Sequence, residues 1–330
     1  MKSLIVPAII SLLLCVVILP SAIGLIIPPR EPLGSSPSSG ITVKVLIEEE
    51  QRLVELDLEE YVKGVVAAEM PASFEVEALK AQAVLARTLA IRKMRRFGGT
   101  GVDGDHRADI SNSHFKGQAW LSEAQLKAKW GLLNYSSYWT KISRAVEATS
   151  GMVATYEGQL IDPVYHSTSA GVTENSEDVW SATVPYLRGV ECPYDDHSPY
   201  SSETSHFTFS EIAAHLSIPM ASLESVAAST ADEIILVSEE SPTGRAKTVV
   251  VAGRSFPASE FRSKLNLRST MFTWRLEGGQ VVITTKGYGH GVGMSQYGAD
   301  GLARRGYQYR EILDYFYRSI QLRKVEDLTL

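Results

Sequence analysis

The sequence predicts an α+β fold, in which helices and mostly antiparallel strands surround a substrate groove. Helical and strand-like patterns alternate irregularly along the chain, and neighbouring strand patterns are joined by short turns that predict hairpins. A regular β-α-β repeat, which would predict a parallel sheet, does not occur. With 44% hydrophobic residues in 330, the chain is large enough to bury one large core or two modest ones.

An uncharged apolar segment occupies residues 4–27 and is long enough to span a bilayer. The apolar core of a cleaved signal is typically about 7–15 residues long. Lys2 precedes the segment, which favours an N-terminus inside the cell and a body outside. We therefore expect residues 1–27 to form a single-pass transmembrane helix that anchors the protein in the cell membrane. Cleavage between Pro20 and Gly24 is the alternative, and in both cases the body is exported.

Composition then divides the rest of the chain. Residues 28–40 are rich in Pro, Ser and Gly and lack a hydrophobic period, which is typical of a flexible linker. We expect the main domain at residues 41–206 plus 269–330. Residues 207–268 mix a short helix with strand-like runs and are interpreted as an inserted smaller lobe.

The main domain is predicted to begin with a hairpin and a helix. Residues 41–47 alternate and are β-branched, and residues 52–58 are their expected partner. Asp57 and Glu60 have the spacing of a capping box, which predicts the start of a helix. Pro71 is expected to end that helix, because the residue before a proline disfavours helical geometry.

Further elements follow in order. A second helix is predicted from about Glu75 to Arg96, and another from about 141, followed by two strand-like runs around a Glu-Gly turn. Residues 191–206 are expected to form a loop. A strand before the glycine-rich run at 287–293 and helices near 299–305 and 309–317 complete the prediction.

Charge and cysteine content exclude some classes of function. The formal net charge is −6, which argues against a nucleic-acid partner, because such binding depends on Lys and Arg neutralising phosphates. Of the two cysteines, Cys15 lies in the apolar N-terminal segment and Cys192 in the body. The exported body is therefore expected to lack an intrachain disulfide.

Glu69 is the first candidate for chemistry, because it is the only charged residue in the apolar stretch 65–71. Its position in the last turn of a predicted helix exposes it to the negative end of the helix dipole. Burial beside Val65, Val66 and Met70 would also disfavour the carboxylate, so both effects raise the pKa. A raised pKa suits a general acid. A solvated glutamate at a helix end is the alternative.

Three other patterns place polar side chains among small residues. Arg87 lies in a helix of small and apolar residues, so it either pairs with a carboxylate or extends its charge to solvent. The hydroxyl-rich run 165–174 suits a polyhydroxylated ligand or a plain Ser/Thr turn. In 286–301, glycines at every second position from 287 to 293 allow a ligand to approach the backbone, or two strands to pack tightly. The run fits neither a dinucleotide fingerprint nor a P-loop.

Together, AAEMP at 67–71, AQAVLAR at 81–87, HSTSAG at 166–171 and GHGVGMSQYGA at 289–299 resemble the stage II sporulation protein D family over about residues 41–320. The resemblance implies a lytic transglycosylase that degrades septal peptidoglycan during engulfment in sporulation. It implies cleavage between N-acetylmuramic acid and N-acetylglucosamine with a 1,6-anhydro product, on strands whose peptides a partner amidase has removed. Other engulfment membrane proteins are further implied partners.

By this resemblance, Glu69 matches the catalytic glutamate of a catalytic domain. The residues expected to bind the glycan are Arg87, Tyr165, His166, Ser167, Ser169, His290, Gln296 and Tyr297. No cofactor is implied. Some family members carry a zinc-binding cysteine pair where this chain has Ser111 and Gly117, and His106 and His114 alone cannot complete a tetrahedral site. We therefore predict no structural zinc.

Three alternatives remain from the sequence. A related branch is described as enhancing a cell-wall amidase, so the chain could bind glycan without cutting it. A hydrolase with a Cys192 or serine nucleophile lacks a supporting motif, since no G-x-S-x-G sequence occurs. A hydrolase with two carboxylates would need an aspartate beside Glu69, and the candidates for that role are Asp162, Asp178 and Asp195.

Overall fold

The structure is a computed structural model that describes residues 40–113, 117–229 and 233–328. It confirms the mixed α+β class, with antiparallel strand pairs in the majority. The expected anchor at 1–27 and the expected linker up to residue 39 lie outside the described residues. Within the described ranges, no helix combines the length and the apolar character that crossing a membrane requires.

The main domain begins with the predicted hairpin and helix. Its elements are β1 (Thr42–Ile47), β2 (Arg52–Asp57), α1 (Leu58–Glu69), α2 (Val76–Lys93), β3 (Ile110–Ser111) and α3 (Glu123–Ala148). β1 pairs with β2 in antiparallel and with β3 in parallel register. The Asp57 carboxylate caps α1 by accepting a hydrogen bond from the backbone N of Glu59 at 2.9 Å. The helix ends at Glu69, as the proline at 71 predicts.

The third helix corrects one prediction. α3 begins at Glu123 rather than near residue 141, and Gly131, with φ +72° and ψ 159°, interrupts it. Leu132 and Leu133, directly after the interruption, are exposed. The apolar period that marks a buried helix face is therefore broken at this point, so the sequence does not reveal the first half of the helix.

Several short β-strands follow, and some of them pair with strands that are distant in the chain. The elements are β4 (Met152–Tyr156), β5 (Gln159–Leu160), β6 (Tyr165–His166), β7 (Gly171–Val172), α4 (Ser176–Trp180) and β8 (Glu191–Cys192). β6 pairs in parallel with β15 (Met294–Ser295), and the next element is α8 (Gln296–Arg304). This pairing places the 165–171 segment beside the glycine-rich segment. α9 (Tyr309–Phe316) and β16 (Gln321–Lys324) come next, and β16 pairs with β4. A short 3₁₀ helix at Val325–Asp327 follows β16.

A second hydrophobic cluster lies apart from the main core. Its elements are β9 (Ser202–Thr208), α5 (Phe209–Leu216), α6 (Met220–Ser229), β10 (Ile235–Glu240), β11 (Ala246–Val251), β12 (Arg254–Pro257), α7 (Ala258–Lys264), β13 (Phe272–Glu277) and β14 (Gln280–Lys286). Val281 and Ile283 belong to this cluster although they lie outside 207–268. The inserted lobe with those boundaries therefore stays a prediction. The loop expected at 191–206 is wrong at its end, where β9 begins and pairs with β14. The polar sequence of β9 did not indicate a strand.

Candidate active site

A cleft of about 520 Å³ opens beside the C-terminal end of α1. We call it the Glu69 cleft, and its lining consists of Ala68, Glu69, Met70, Pro71, Lys129, Tyr165, His166, Ser167, Tyr200, Tyr288, Gly289, Gln296 and Tyr297. Five parts of the chain that are distant in sequence thus meet around one acid, among them the segments that contain β6 and β15. The parallel pairing of β6 with β15 brings two of them together.

The Glu69 carboxyl group is held from two sides. Its Oε1 accepts a hydrogen bond from the backbone N of Ala119 at 2.9 Å, and the Tyr165 hydroxyl donates a second hydrogen bond. Burial raises the pKa of Glu69, and this effect outweighs the two hydrogen bonds and the charge of Lys129, which lower it. The group is therefore oriented, and it holds its proton to a higher pH than an exposed glutamate does.

Burial and the nearby Glu69 also shift the pKa values of Tyr165 and Lys129. Burial, together with the charge of Glu69, raises the pKa of Tyr165 well above its usual range, so its hydroxyl remains a hydrogen-bond donor. Lys129 Nζ donates to the backbone O of Ala67 at 3.1 Å. Burial lowers the pKa of Lys129, and the nearby Glu69 partly offsets that effect. A cation thus lies beside the carboxylate that would form when Glu69 gives up its proton.

Among the described residues that line the cleft, Glu69 is the only carboxylic acid. Asp162 forms an ion pair with Arg92 at 2.9 Å on the surface. Asp195 is buried and accepts a hydrogen bond from the backbone N of Ser169 at 2.6 Å, and Asp178 lines a different cavity. None of the three aspartates considered from the sequence therefore lies in the lining beside Glu69.

The two histidines of the predicted site are neutral and hold backbone segments. His166 Nδ1 donates to the backbone O of Val292 at 3.1 Å, and burial keeps the pKa of this histidine well below its usual range. His290 Nδ1 accepts from the backbone N of Val292 at 3.1 Å, so its Nε2 carries the proton and donates to the backbone of Tyr165. Burial lowers the pKa of His290 to about 4. His290 lines the neighbouring cavities rather than the Glu69 cleft.

The alternating glycines allow tight packing, which is the second of the two interpretations that the sequence left open. A Cβ atom at Gly293, where φ is +71°, would lie 2.1 Å from the backbone O of Val164. A Cβ at Gly289, where φ is +113°, would lie 2.7 Å from the Cβ of His166. Only Gly289 of the four lines the cleft. The glycines therefore allow the segment to press against the strand that carries Tyr165 and His166.

We expect Gly293→Ala to destabilise the protein far more than an alanine at a glycine with a similar backbone but open surroundings. Gly158, with φ +81°, is the matched control, because a Cβ atom at this position would point into open space, with no contact within 4 Å. Gly158→Ala should cost only the strain of a left-handed residue, about 1–2 kcal/mol, whereas Gly293→Ala adds a collision with a backbone oxygen. Urea unfolding of both variants measures the difference, and equal midpoints would refute this role of the segment.

Arg87 and Ser169 do not lie in the cleft, contrary to the prediction that both contact the glycan. Arg87 is fully buried and forms a bidentate ion pair with Glu59, with distances of 2.9 and 2.6 Å. The partner is a carboxylate, as the first of the two sequence interpretations requires, and it lies on α1. Ser169 is also fully buried, and its Oγ accepts from the backbone N of Gly171 at 3.0 Å.

Gln296 and Tyr297, at the start of α8, line the cleft, and their role in binding glycan stays a prediction. The backbone N of Tyr297 donates to the backbone O of Ser167 at 3.0 Å, which ties the two segments together. Tyr200 lies 5.3 Å from Tyr288 and 6.1 Å from Tyr297 between ring centroids, so the three rings form an aromatic wall. Aromatic faces suit the apolar faces of sugar rings.

Sequence reasoning missed Ala119, Lys129 and Tyr200 as site residues. Ala119 acts through its backbone, which no side-chain pattern reveals, and Lys129 lies in the part of α3 that the sequence did not reveal as a helix. Tyr200 stands in a segment expected to be a loop. Tyr288 had a signal, because it lies within the glycine-rich motif.

Neither a metal site nor a cysteine nucleophile is supported by the described residues. Within them, no group of three or more His, Cys, Asp or Glu side chains could hold a metal ion. His114 lies outside the described residues, so the absence of a structural zinc stays a prediction for metal analysis. Burial raises the pKa of the Cys192 thiol to about 12, which keeps it protonated and unreactive.

Comparison with known proteins gives consistent matches. The family model for stage II sporulation protein matches residues 48–156, which include Glu69 and Arg87. Stage II sporulation protein D of Bacillus subtilis is 36% identical over 90% of this chain and 82% of its own length. The protein of the same name from Bacillus amyloliquefaciens is 36% identical over 90% of this chain and 84% of its own. An amidase enhancer of Bacillus subtilis is 30% identical over 77% of this chain and 39% of its own.

Proposed function

Because this chain belongs to the stage II sporulation protein D family, we propose that it is a lytic transglycosylase of the bacterial cell wall. Its substrate would be peptidoglycan glycan strands, preferably free of peptides, cut between N-acetylmuramic acid and N-acetylglucosamine. The observation that carries the proposal is a single oriented acid, Glu69, in a cleft with an aromatic wall. We further propose that the protein is held in the cell membrane with its body outside the cytoplasm, where it would meet septal peptidoglycan.

A single acid fits transglycosylation better than hydrolysis. A glycosidase that hydrolyses its substrate ordinarily needs two carboxylates on opposite sides of the scissile bond. In a lytic transglycosylase, the C6 hydroxyl of the muramic acid attacks C1 of the same ring, so no second carboxylate has to activate water or form a covalent bond. The described lining of the Glu69 cleft offers one carboxylate.

The proposed reaction uses Glu69 twice. Its carboxyl group donates a proton to the glycosidic oxygen as the bond from C1 to that oxygen breaks. The resulting carboxylate then takes the proton of the C6 hydroxyl as that oxygen bonds to C1, which regenerates the acid and releases the anhydro end. The backbone N of Ala119 and the Tyr165 hydroxyl would hold the carboxyl group in place through both steps. Lys129 would stabilise the carboxylate between them.

We expect Lys129→Met to move the alkaline limb of the pH–activity profile to higher pH. The Lys129 charge lowers the pKa of Glu69, so its removal raises that pKa and keeps the general acid protonated further into the alkaline range. The profile of kcat/KM measures the shift. Lys127→Met is the control, because Lys127 pairs with Glu123 on the surface at 2.7 Å. An alkaline limb that stays in place or moves to lower pH would contradict this role of Lys129.

A non-catalytic role is the second candidate, and the similarity to an amidase enhancer favours it. The protein would then bind glycan and stimulate a partner amidase without cutting the strand itself. Digestion of peptide-free strands by the purified full-length chain distinguishes the two. Anhydro-muramyl ends in the absence of any amidase support the enzyme. Unchanged strands, together with faster amidase action on peptide-bearing wall, support the enhancer.

A further inference from the structure

The Glu69 cleft adjoins a second cleft. This second cleft, which we call the Arg262 cleft, has a volume of about 500 Å³ and shares Tyr288 and Gly289 with the Glu69 cleft. Arg262 and Arg268 line it, and no carboxylic acid is among its described lining residues. A polymer bound at Glu69 that follows the glycine-rich segment would therefore meet positive charge next.

Arg262 differs from the cations around it. Arg245 has Glu174 at 3.2 Å, Lys264 has Glu260 at 3.2 Å, and Arg268 has Glu203 at 2.9 Å. Arg262, on α7, makes a hydrogen bond from Nε to the backbone O of Leu267 at 3.2 Å, and no carboxylate of the described residues forms an ion pair with it.

The charge of Arg262 is also partly removed from water. Burial lowers the pKa of Arg262. A half-buried cation without an opposite charge is unfavourable, so binding of an anion beside Arg262 would lower the free energy of the site. A guanidinium binds a carboxylate through two parallel hydrogen bonds, which makes arginine the suitable reader of that group.

We propose that Arg262 binds the lactyl carboxylate of a muramic acid residue in the bound strand and thereby selects strands without peptides. The proposal rests on the proposed function, because it takes the ligand to be peptidoglycan. The lactyl group of muramic acid ends in a free carboxylate only after the stem peptide has been removed, since the peptide is attached there as an amide. An amide lacks the negative charge, so a peptide-bearing strand leaves Arg262 unpaired.

The test compares two forms of the same strands. Peptide-free strands are used as they are, or after carbodiimide coupling has converted their lactyl carboxylates to methylamides. We expect the full-length protein to favour the carboxylate form about tenfold or more, as for a charge-assisted hydrogen bond that is lost. Arg262→Gln should remove this preference by raising KM for the carboxylate form, with the amide form cut as before. Arg262→Lys should keep part of the preference, because it keeps the charge.

Lys264→Gln is the matched control, because it removes one positive charge from the same helix outside the cleft. Its preference should equal that of the unaltered protein. An unaltered protein that cuts both strand forms equally, or an Arg262→Gln variant that keeps the full preference, overturns the proposal for Arg262 while the enzymatic function stands.

Binding of both strand forms to the Glu69→Gln variant, with and without Arg262→Gln, separates the remaining outcomes. Preferential binding that depends on Arg262, combined with absence of cleavage by the unaltered chain, supports the carboxylate subsite and refutes the transglycosylase. Absence of both binding and cleavage refutes both proposals.

Discussion

Replacing Glu69 with glutamine is expected to lower strand cleavage by about 10²–10⁴-fold, the usual contribution of a general acid–base group. Glutamine has the same shape and its side-chain oxygen can still accept the hydrogen bond from Ala119 N. It has no proton to give to the glycosidic oxygen and cannot take one from the C6 hydroxyl. The loss should therefore appear in kcat, with strand binding and thermal stability close to those of the unaltered protein.

Yield of anhydro-muramyl ends from peptide-free strands measures this effect. Glu55→Gln is the control, because Glu55 is an exposed acid on β2 whose partner is Lys44 at 3.6 Å. The control should cut strands at the normal rate. Normal activity in the Glu69→Gln variant would show that this acid does not carry the reaction, even if the cleft binds glycan.

The second large effect concerns stability, at the buried pair of Arg87 and Glu59. Glu59→Gln leaves the Arg87 guanidinium buried without an opposite charge, and such a loss typically costs about 3–5 kcal/mol. Glu59 Oε1 also accepts from the backbone N of Gly151 at 3.0 Å, and Arg87 Nη1 donates to the backbone O of Met152 at 3.0 Å. The pair thus joins α1, α2 and the start of β4, and its loss should weaken the whole main domain.

Chemical unfolding measures this cost, and kinetics separate it from a role in binding. Adding Arg87→Met to Glu59→Gln should recover part of the lost stability, because the unpaired charge is gone. Arg107→Gln, at an exposed pair with Asp105, should leave stability unchanged. The folded fraction of each variant should bind strands with an unaltered KM. A Glu59→Gln variant as stable as the unaltered protein would contradict the structural role of the pair. An Arg87→Met variant with a raised KM would support Arg87 as a glycan contact.

Local signals predicted the parts of the fold that depend on local physics. The capping position of Asp57 and the proline at 71 marked both ends of α1, and hence the position of Glu69 at a helix end. The apolar neighbours of Glu69 predicted a raised pKa, and burial does raise the pKa of this group.

Long-range contacts decided the rest, and a single sequence does not specify them. The sequence did not decide whether the Arg87 side chain pairs with a carboxylate or extends to solvent, because its partner Glu59 lies 28 residues earlier, on α1. Ala119 orients Glu69 through a backbone N, which any residue type at that position except proline could supply. The first half of α3 lacked an apolar period because Gly131 breaks it and Leu132 and Leu133 are exposed. Lys129 was therefore recognised as a residue of the Glu69 cleft only from the structure.

In the proposed reaction, Glu69 cuts the strand without a second carboxylate, and the substrate's own C6 hydroxyl is the nucleophile. Digestion of peptide-free strands in water labelled with heavy oxygen, followed by mass spectrometry of the products, tests this directly. Transglycosylation by Glu69 should give muramyl ends that are one water lighter than hydrolysed ends and carry no heavy oxygen. Reducing muramyl ends that have taken up heavy oxygen from the solvent would contradict it.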